Sequence, residues 1–271
     1  MAERAATETS TAGDRPGGGE ARQRVGTYLY GIVPADVEVA EDTGGVGDPP
    51  APVTVLRHGE IGALVSDLTS KGPLGTPNDL VAHEQLLDAT AAEVPVLPIR
   101  FGAVMTGPDE IVDELLAPHH DEFRSALEEL EGRAEYVVRG RYEERAVLAE
   151  VLEEYPEVAR LREQIREQPE EVTRDARIQI GEIVNAAITA RREADTQAVS
   201  DALAPLCVMA ALREATHELD AVHLALLVET ERQGELEEAV EELAEQWAGR
   251  VGLRLLGPLA PYDFIVTPAA G

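Results

Sequence analysis

The sequence predicts an α+β fold in two domains, the second a modified ferredoxin-like (split βαβ) domain with an antiparallel sheet. Three observations predict it. From residue 134 onward, apolar β-forming runs and helical periodicity follow the order strand, helix, strand, strand, helix, strand. The first half also mixes strands and helices, in an order that matches no simple motif. The chain has 271 residues and 44% hydrophobic content, enough for two ordinary domains with real cores. The expected division is a disordered tail over 1–24, an N-terminal α+β domain over 25–133, and a C-terminal ferredoxin-like domain with a long helical region over 134–271.

Each element has its own justification. Residues 1–24 are small, polar and Gly-rich, and bury too little to order themselves. TYLYGIV (27–33) is a run of β-formers. Residues 34–51 form a Pro/Gly/Asp-rich loop. VTVLRHGEIGALVSDL (53–68) predicts a hairpin, two apolar runs joined by His58-Gly59-Glu60. PNDLVAHEQLLDATAAE (77–93) predicts a helix with Asn78 as N-cap and Asp79 in the first turn. PVLPIRFGAVM (95–105) reads as a short or edge strand, because Pro95 and Pro98 cannot donate to a ladder. Arg100 ends that strand, and Gly102 permits a sharp bend. The expected partner of the Arg100 guanidinium is a carboxylate, Glu84 first, or backbone carbonyls.

TGPDEIVDELL (106–116) predicts a helix capped by Thr106 with Asp109 at capping-box spacing. Pro118 interrupts it. The next helix carries Phe123, Leu127 and Leu130 on one face, and Gly132 suits its C′ position. AEYVVRGRYEE (134–144) is strand-like. A helical region follows over 145–203, broken near Pro156 and Pro169, with an apolar stripe of Ile180, Val184 and Ala187/Ile188. LCVMAALRE (206–214) and AVHLALLVE (221–229) predict two strands. GELEEAVEELAEQWAGR (234–250) is an amphipathic helix aligning Leu236, Val240, Leu243 and Trp247. VGLRLL (251–256) alternates as a strand, and GPLAPYDFIV (257–266) closes the ordered chain.

The formal net charge of −29 argues against nucleic acid, whose phosphates need a basic surface, and against anionic membranes. No stretch reaches the ~18–20 apolar residues of a membrane helix. Cys207 is the sole cysteine, which excludes an intramolecular disulfide and points to a reducing, intracellular compartment. The N-terminus lacks the apolar region of a secretory signal.

The motifs of catalysis are missing. GGVG (44–47) runs into Asp48-Pro49-Pro50 where a dinucleotide fingerprint needs a helix start. His119 and His120 are adjacent and point apart on a helix. His217 and His223 lack a third well-spaced metal ligand. His83 faces the core of its helix with no nucleophile beside it. The glutamate runs near 128, 153 and 237 read as solvated helix faces, and Cys207 as a small hydrophobe. No cofactor is expected, and an interaction protein fits better than an enzyme.

Two segments remain unexplained by this reading, PVLPIRFG and GPLAPYDF. With the preceding His83-Glu84 helix, the opening YLYGIV and the passage LEGRAEYVVRGRY, they resemble the gas vesicle protein family GvpL/GvpF over residues 26–267. The resemblance implies a non-enzymatic accessory protein of gas vesicle assembly, located in the cytoplasm or on the vesicle. It implies as partners the hydrophobic major shell protein and other gas vesicle accessory proteins. The chain would act as escort or nucleator, or as a minor structural component. The family-motif positions are His83, Glu84, Pro95, Pro98, Arg100, Phe101, Gly102, Gly257, Pro258, Pro261, Tyr262 and Phe264. The family's C-terminal motif runs Gly-Pro, an aromatic, Pro-Pro-Tyr; Leu259 and Ala260 replace the aromatic and the first of those two prolines here. The alternative is a ferredoxin-like module that senses a small molecule, which rests on fold analogy.

Overall fold

The computed structural model describes residues 26–40, 42–68 and 74–265. The tail expected over 1–24 lies outside them. The first sheet is built on β1 (Gly26–Pro34), which pairs antiparallel with β3 (Ile61–Leu68) of the predicted hairpin. β2 (Val53–His58) completes that hairpin around Gly59, whose φ of 59° suits a residue without Cβ. On the other side of β1 lie two short strands, β4 (Leu97–Pro98) and β5 (Val104–Met105). The order is β2-β3-β1-β4, so the proline-framed segment does form a two-residue edge strand.

β1 is buried along almost its whole length because both faces of this sheet are covered. α1 (Pro77–Ala91) covers one face, packing Leu87 and Ala91 against Tyr28, Tyr30, Val33 and Leu64. A register shift between Leu29 and Gly31 marks a bulge. A Cβ at Gly31 would lie 2.8 Å from the Leu97 carbonyl, so this close approach needs glycine. The other face is covered by α2 (Pro108–Glu110), its π-helical continuation Ile111–Leu116, and α3 (His120–Leu130). Phe123, Leu127 and Leu130 meet Leu29, Ile32 and Ile61 there.

Two predicted caps move. α1 is capped by Thr76, not Asn78: the Asp79 N–H donates to Thr76 Oγ1 and the Thr76 N–H donates back to Asp79. Pro77 then occupies the first helical position, where its missing N–H costs nothing. For the same reason Gly107, not Thr106, caps the helix that begins at Pro108, and the Thr106 N–H goes to Glu110.

The second sheet has β6 (Arg133–Tyr142) at its centre, paired with β8 (Asp220–Glu229) and β9 (Val251–Leu259). β7 (Met209–Leu212) pairs outside β8, giving the antiparallel order β7-β8-β6-β9. β7 is shorter than the predicted 206–214, because Ala204–Leu206 forms a single 3₁₀ turn around Pro205. Between β6 and β7 run α4 (Glu144–Glu154), α5 (Pro156–Ile165) and α6 (Glu170–Leu203), broken at the two prolines. α7 (Gln233–Gln246) links β8 to β9. Val147, Val151, Ala187, Val199, Leu203, Leu236 and Val240 bury against Tyr136, Val138, Leu224 and Leu226. The helices therefore cover one face of this sheet. Arg250 fastens them, donating to Asp195 at 2.8 Å and to Glu150 at 2.9 Å.

The two sheets share a core. Leu227, on the second sheet's helix-free face, packs with Ile111, Phe123 and Leu130 of the first unit. After β9 the chain also returns to the first unit: Ala260 and Tyr262 join the α1 side, Phe264 and Ile265 the α3 side.

Candidate functional site

That return brings the two sequence segments together around His83. The ring is buried, with 1% of its surface exposed. Nε2 lies 3.1 Å from the Ile99 carbonyl and 3.0 Å from the Tyr262 hydroxyl. Nδ1 lies 3.1 Å from the Tyr28 hydroxyl, which accepts the Gly102 N–H at 3.0 Å. The protons follow from the partners. A carbonyl only accepts, so Nε2 carries the hydrogen. The Tyr28 hydroxyl, already an acceptor, donates to Nδ1. The imidazole is neutral, and burial holds its pKa below the ordinary 6.5 against the smaller opposing effect of the Ile99 bond. Burial likewise pushes the Tyr28 phenol up to about 12.

Aromatic rings close the site. Tyr30 stacks on His83 at 5.6 Å between centroids, and Phe101 meets it edge-on at 5.5 Å. The Tyr30 hydroxyl bonds Ser66 and accepts the Val46 N–H, which ties in the loop before β2. Asp79 holds the same loop through the Gly47 N–H. Burial alone would raise the Asp79 pKa, but the bonds from Thr76, Gly47 and Gly75 outweigh it and lower the value.

The expected site residues thus separate into two groups. His83, Phe101, Gly102 and Tyr262 converge, with Pro98 and Pro261 buried alongside and Phe264 on the opposite side of the sheet. Gly257 and Pro258 shape the exit from β9; Gly257 has φ 140°, and a Cβ there would lie 2.6 Å from the Tyr136 ring. Pro95 is half-buried. Glu84 and Arg100 are exposed instead. The Glu84–Arg100 pair does not form, and Arg100 has no ion-pair partner among the described residues. The strand is too short to carry Arg100 inward, so solvent supplies what a buried guanidinium would have taken from a carboxylate.

Sequence reasoning missed a second tie, which holds the C-terminal segment to the second sheet. Glu135 is buried, and Arg213 donates to it at 2.7 Å and also to Asp263. The Asp263 N–H donates to Glu135 at 3.1 Å. Burial raises the Glu135 pKa, and the Asp263 carboxylate adds to this against the Asp263 N–H bond and the pull of Arg213. The signal was a lone glutamate inside the apolar run AEYVV. No buried side-chain polar atom lacks a partner among the described residues. No group of three or more His, Cys, Asp or Glu is arranged for a metal among them either. His83 is saturated by its neighbours, and burial raises the Cys207 thiol pKa, which keeps it protonated. The cluster fastens segments; it offers no free base or nucleophile.

The family of gas vesicle synthesis proteins GvpL/GvpF has a sequence profile that matches residues 26–266. The chain belongs to that family. Among GvpL/GvpF relatives, gas vesicle protein F of Streptomyces sp. (strain CB03234) is 32% identical over 247 residues, covering 88% of this chain and 99% of that protein. Gas vesicle protein F of Dolichospermum flosaquae is 26% identical over 239 residues, covering 88% and 96%. The crystal structure of GvpF from Anabaena sp. PCC7120 superposes with a TM-score of 0.73 at 24% identity, covering 90% of this chain and 99% of that one. At that identity the superposition speaks for the fold: helices with two antiparallel sheets. Membership makes this a gas vesicle protein with an accessory role. No described helix is long and apolar enough to cross a membrane.

Proposed function

We propose that this protein serves gas vesicle assembly by binding the hydrophobic major shell protein, as escort or nucleator or as a minor structural component, without catalysis. Family membership across residues 26–266 carries the reading. The free edge of β7 supports it. Among the described residues that strand pairs only with β8, and Val208, Met209 and Leu212 around it are 45%, 52% and 73% exposed. An apolar strand edge is a ready template for another chain. A charge of −29 keeps such an edge from aggregating with its own copies.

Co-purification with the major shell protein tests this. A stable complex is expected, and Met209→Lys with Leu212→Lys should reduce it about tenfold or more, about 1.4 kcal/mol per tenfold. Absence of any complex, together with normal vesicles in a deletion strain, contradicts the proposal. Labelling of washed vesicles separates a retained component from an escort.

One observation favours the sensing alternative enough to test it. A cavity of about 350 Å³ lies between α6 and the β7–β8 edge, lined by Arg192, Thr196, Ser200, Leu212 and His223. A metabolite that raises the melting temperature, and loses this effect in Thr196→Leu, would support it.

A further inference from the structure

The helix-free face of the second sheet carries a row of cations in an otherwise acidic molecule. Arg139 of β6 lies directly opposite Arg254 of β9 and His223 of β8. Cross-strand partners share a face, so the three side chains stand side by side. Arg141 follows two residues along β6. Arg139, Arg141 and Arg254 are all exposed. Arg139 donates to the Thr216 hydroxyl and Arg141 to His217, and neither these two nor Arg254 forms a salt bridge among the described residues. The nearby carboxylate of Asp220 is already occupied by Thr216 and by the His217 N–H.

Like charges directly opposite one another destabilise a strand pair. One carboxylate stands at the end of the row, Asp220 opposite Arg141, but it forms no salt bridge with the arginines among the described residues, and the Arg139–Arg254 pair has no carboxylate opposite it. The next residue pair along the same face is apolar, with Val137 opposite Leu256, and Leu256 is 45% exposed. The surface thus offers a line of cations beside one exposed apolar side chain, Leu256, backed by buried Val137.

We infer that this face docks an acidic polypeptide segment of a partner protein, its carboxylates on Arg139, Arg141 and Arg254 and an apolar residue on Leu256. Charge complementarity selects that occupant. The rest of the molecule's negative charge does not forbid it, because at physiological ionic strength charges beyond ~8 Å are largely screened while contact pairs persist. The site is separate from the β7 edge and does not depend on shell-protein binding.

The test uses the full chain at ~0.15 M salt, near the physiological screening length. The probe is a short fluorescein-labelled peptide of glutamates alternating with leucine, followed by anisotropy. Saturable binding is expected, weakened about tenfold or more by Arg139→Glu with Arg254→Glu, and similarly weakened when glutamine replaces the peptide's glutamates. Arg124→Glu, at an exposed position of α3, should leave binding unchanged. Arg254→Gln should fold with an equal or higher melting temperature, since it relieves repulsion. No binding to the wild-type chain overturns the inference, as does equal binding by the double variant. Tighter binding of single-stranded DNA or of anionic vesicles at these arginines would overturn it, as would self-association through this face. No arm contains shell protein, so failure here is distinguishable from failure of the proposed function.

Discussion

His83 joins three parts of the chain through one ring, so its protonation state matters. Its pKa is lowered by folding, which means the unfolded chain binds more protons below the ordinary value of 6.5. Its contribution to stability is therefore complete above about pH 6.5 and is lost as pH falls toward the lower folded value. His83's share of the melting temperature should drop between pH 7.5 and 5.5, against an opposite trend from buried Glu135, whose raised pKa favours the fold as pH falls, so the share is read as the difference between wild type and a His83 variant. His83→Gln keeps a donor and an acceptor but does not titrate, so it should flatten that dependence. Tyr262→Phe removes one buried hydrogen bond and should cost about 1 kcal/mol in urea unfolding. Arg100→Ala should change stability by less than ~0.5 kcal/mol, because the residue is exposed and unpaired. A larger loss would restore the structural ion pair that the sequence suggested. His83 could be read from sequence as a core-facing residue, but its partners could not. Tyr262 lies 179 residues away, and no periodicity reports that proximity.

Among elements, the sequence was most readable where local rules decide the outcome. The hairpin, the amphipathic α7 and the breaks at Pro156 and Pro169 depend on turn chemistry, spacing and a missing N–H. The caps shifted because proline at the first helical position selects the residue before it. Thr76→Ala should therefore destabilise by about 1 kcal/mol, and Asn78→Ala by much less. The β7 strand was overextended because an apolar run reads alike whether it pairs or forms a 3₁₀ turn. At the exit of β9, Gly257→Ala should cost about 1–3 kcal/mol, since φ of 140° and contact with Tyr136 both oppose a Cβ.

At the scale of the whole molecule, the two sheets are joined by a returning C-terminal segment that threads both cores of the first unit. Ala260 is held by Asp88 at 2.9 Å, Tyr262 by His83, and Asp263 by Glu135 and Arg213. The family-motif segments PVLPIRFG and GPLAPYDF are therefore parts of one architectural junction. Sequence order suggested the second sheet but held no hint of this closure, which brings residues 260–263 onto α1. The side chains of Met209, Leu212 and the arginine row make none of these contacts, so they can be altered without removing one, although the junction's Arg213 directly follows β7.

Hydrogen exchange in Tyr262→Ala tests the junction most directly. If the segment locks the first unit, amides of residues 28–33 and 99–103 lose protection while α7 and β8 keep theirs. Unchanged protection at 99–103, with exchange altered only near residue 262, would contradict a shared junction.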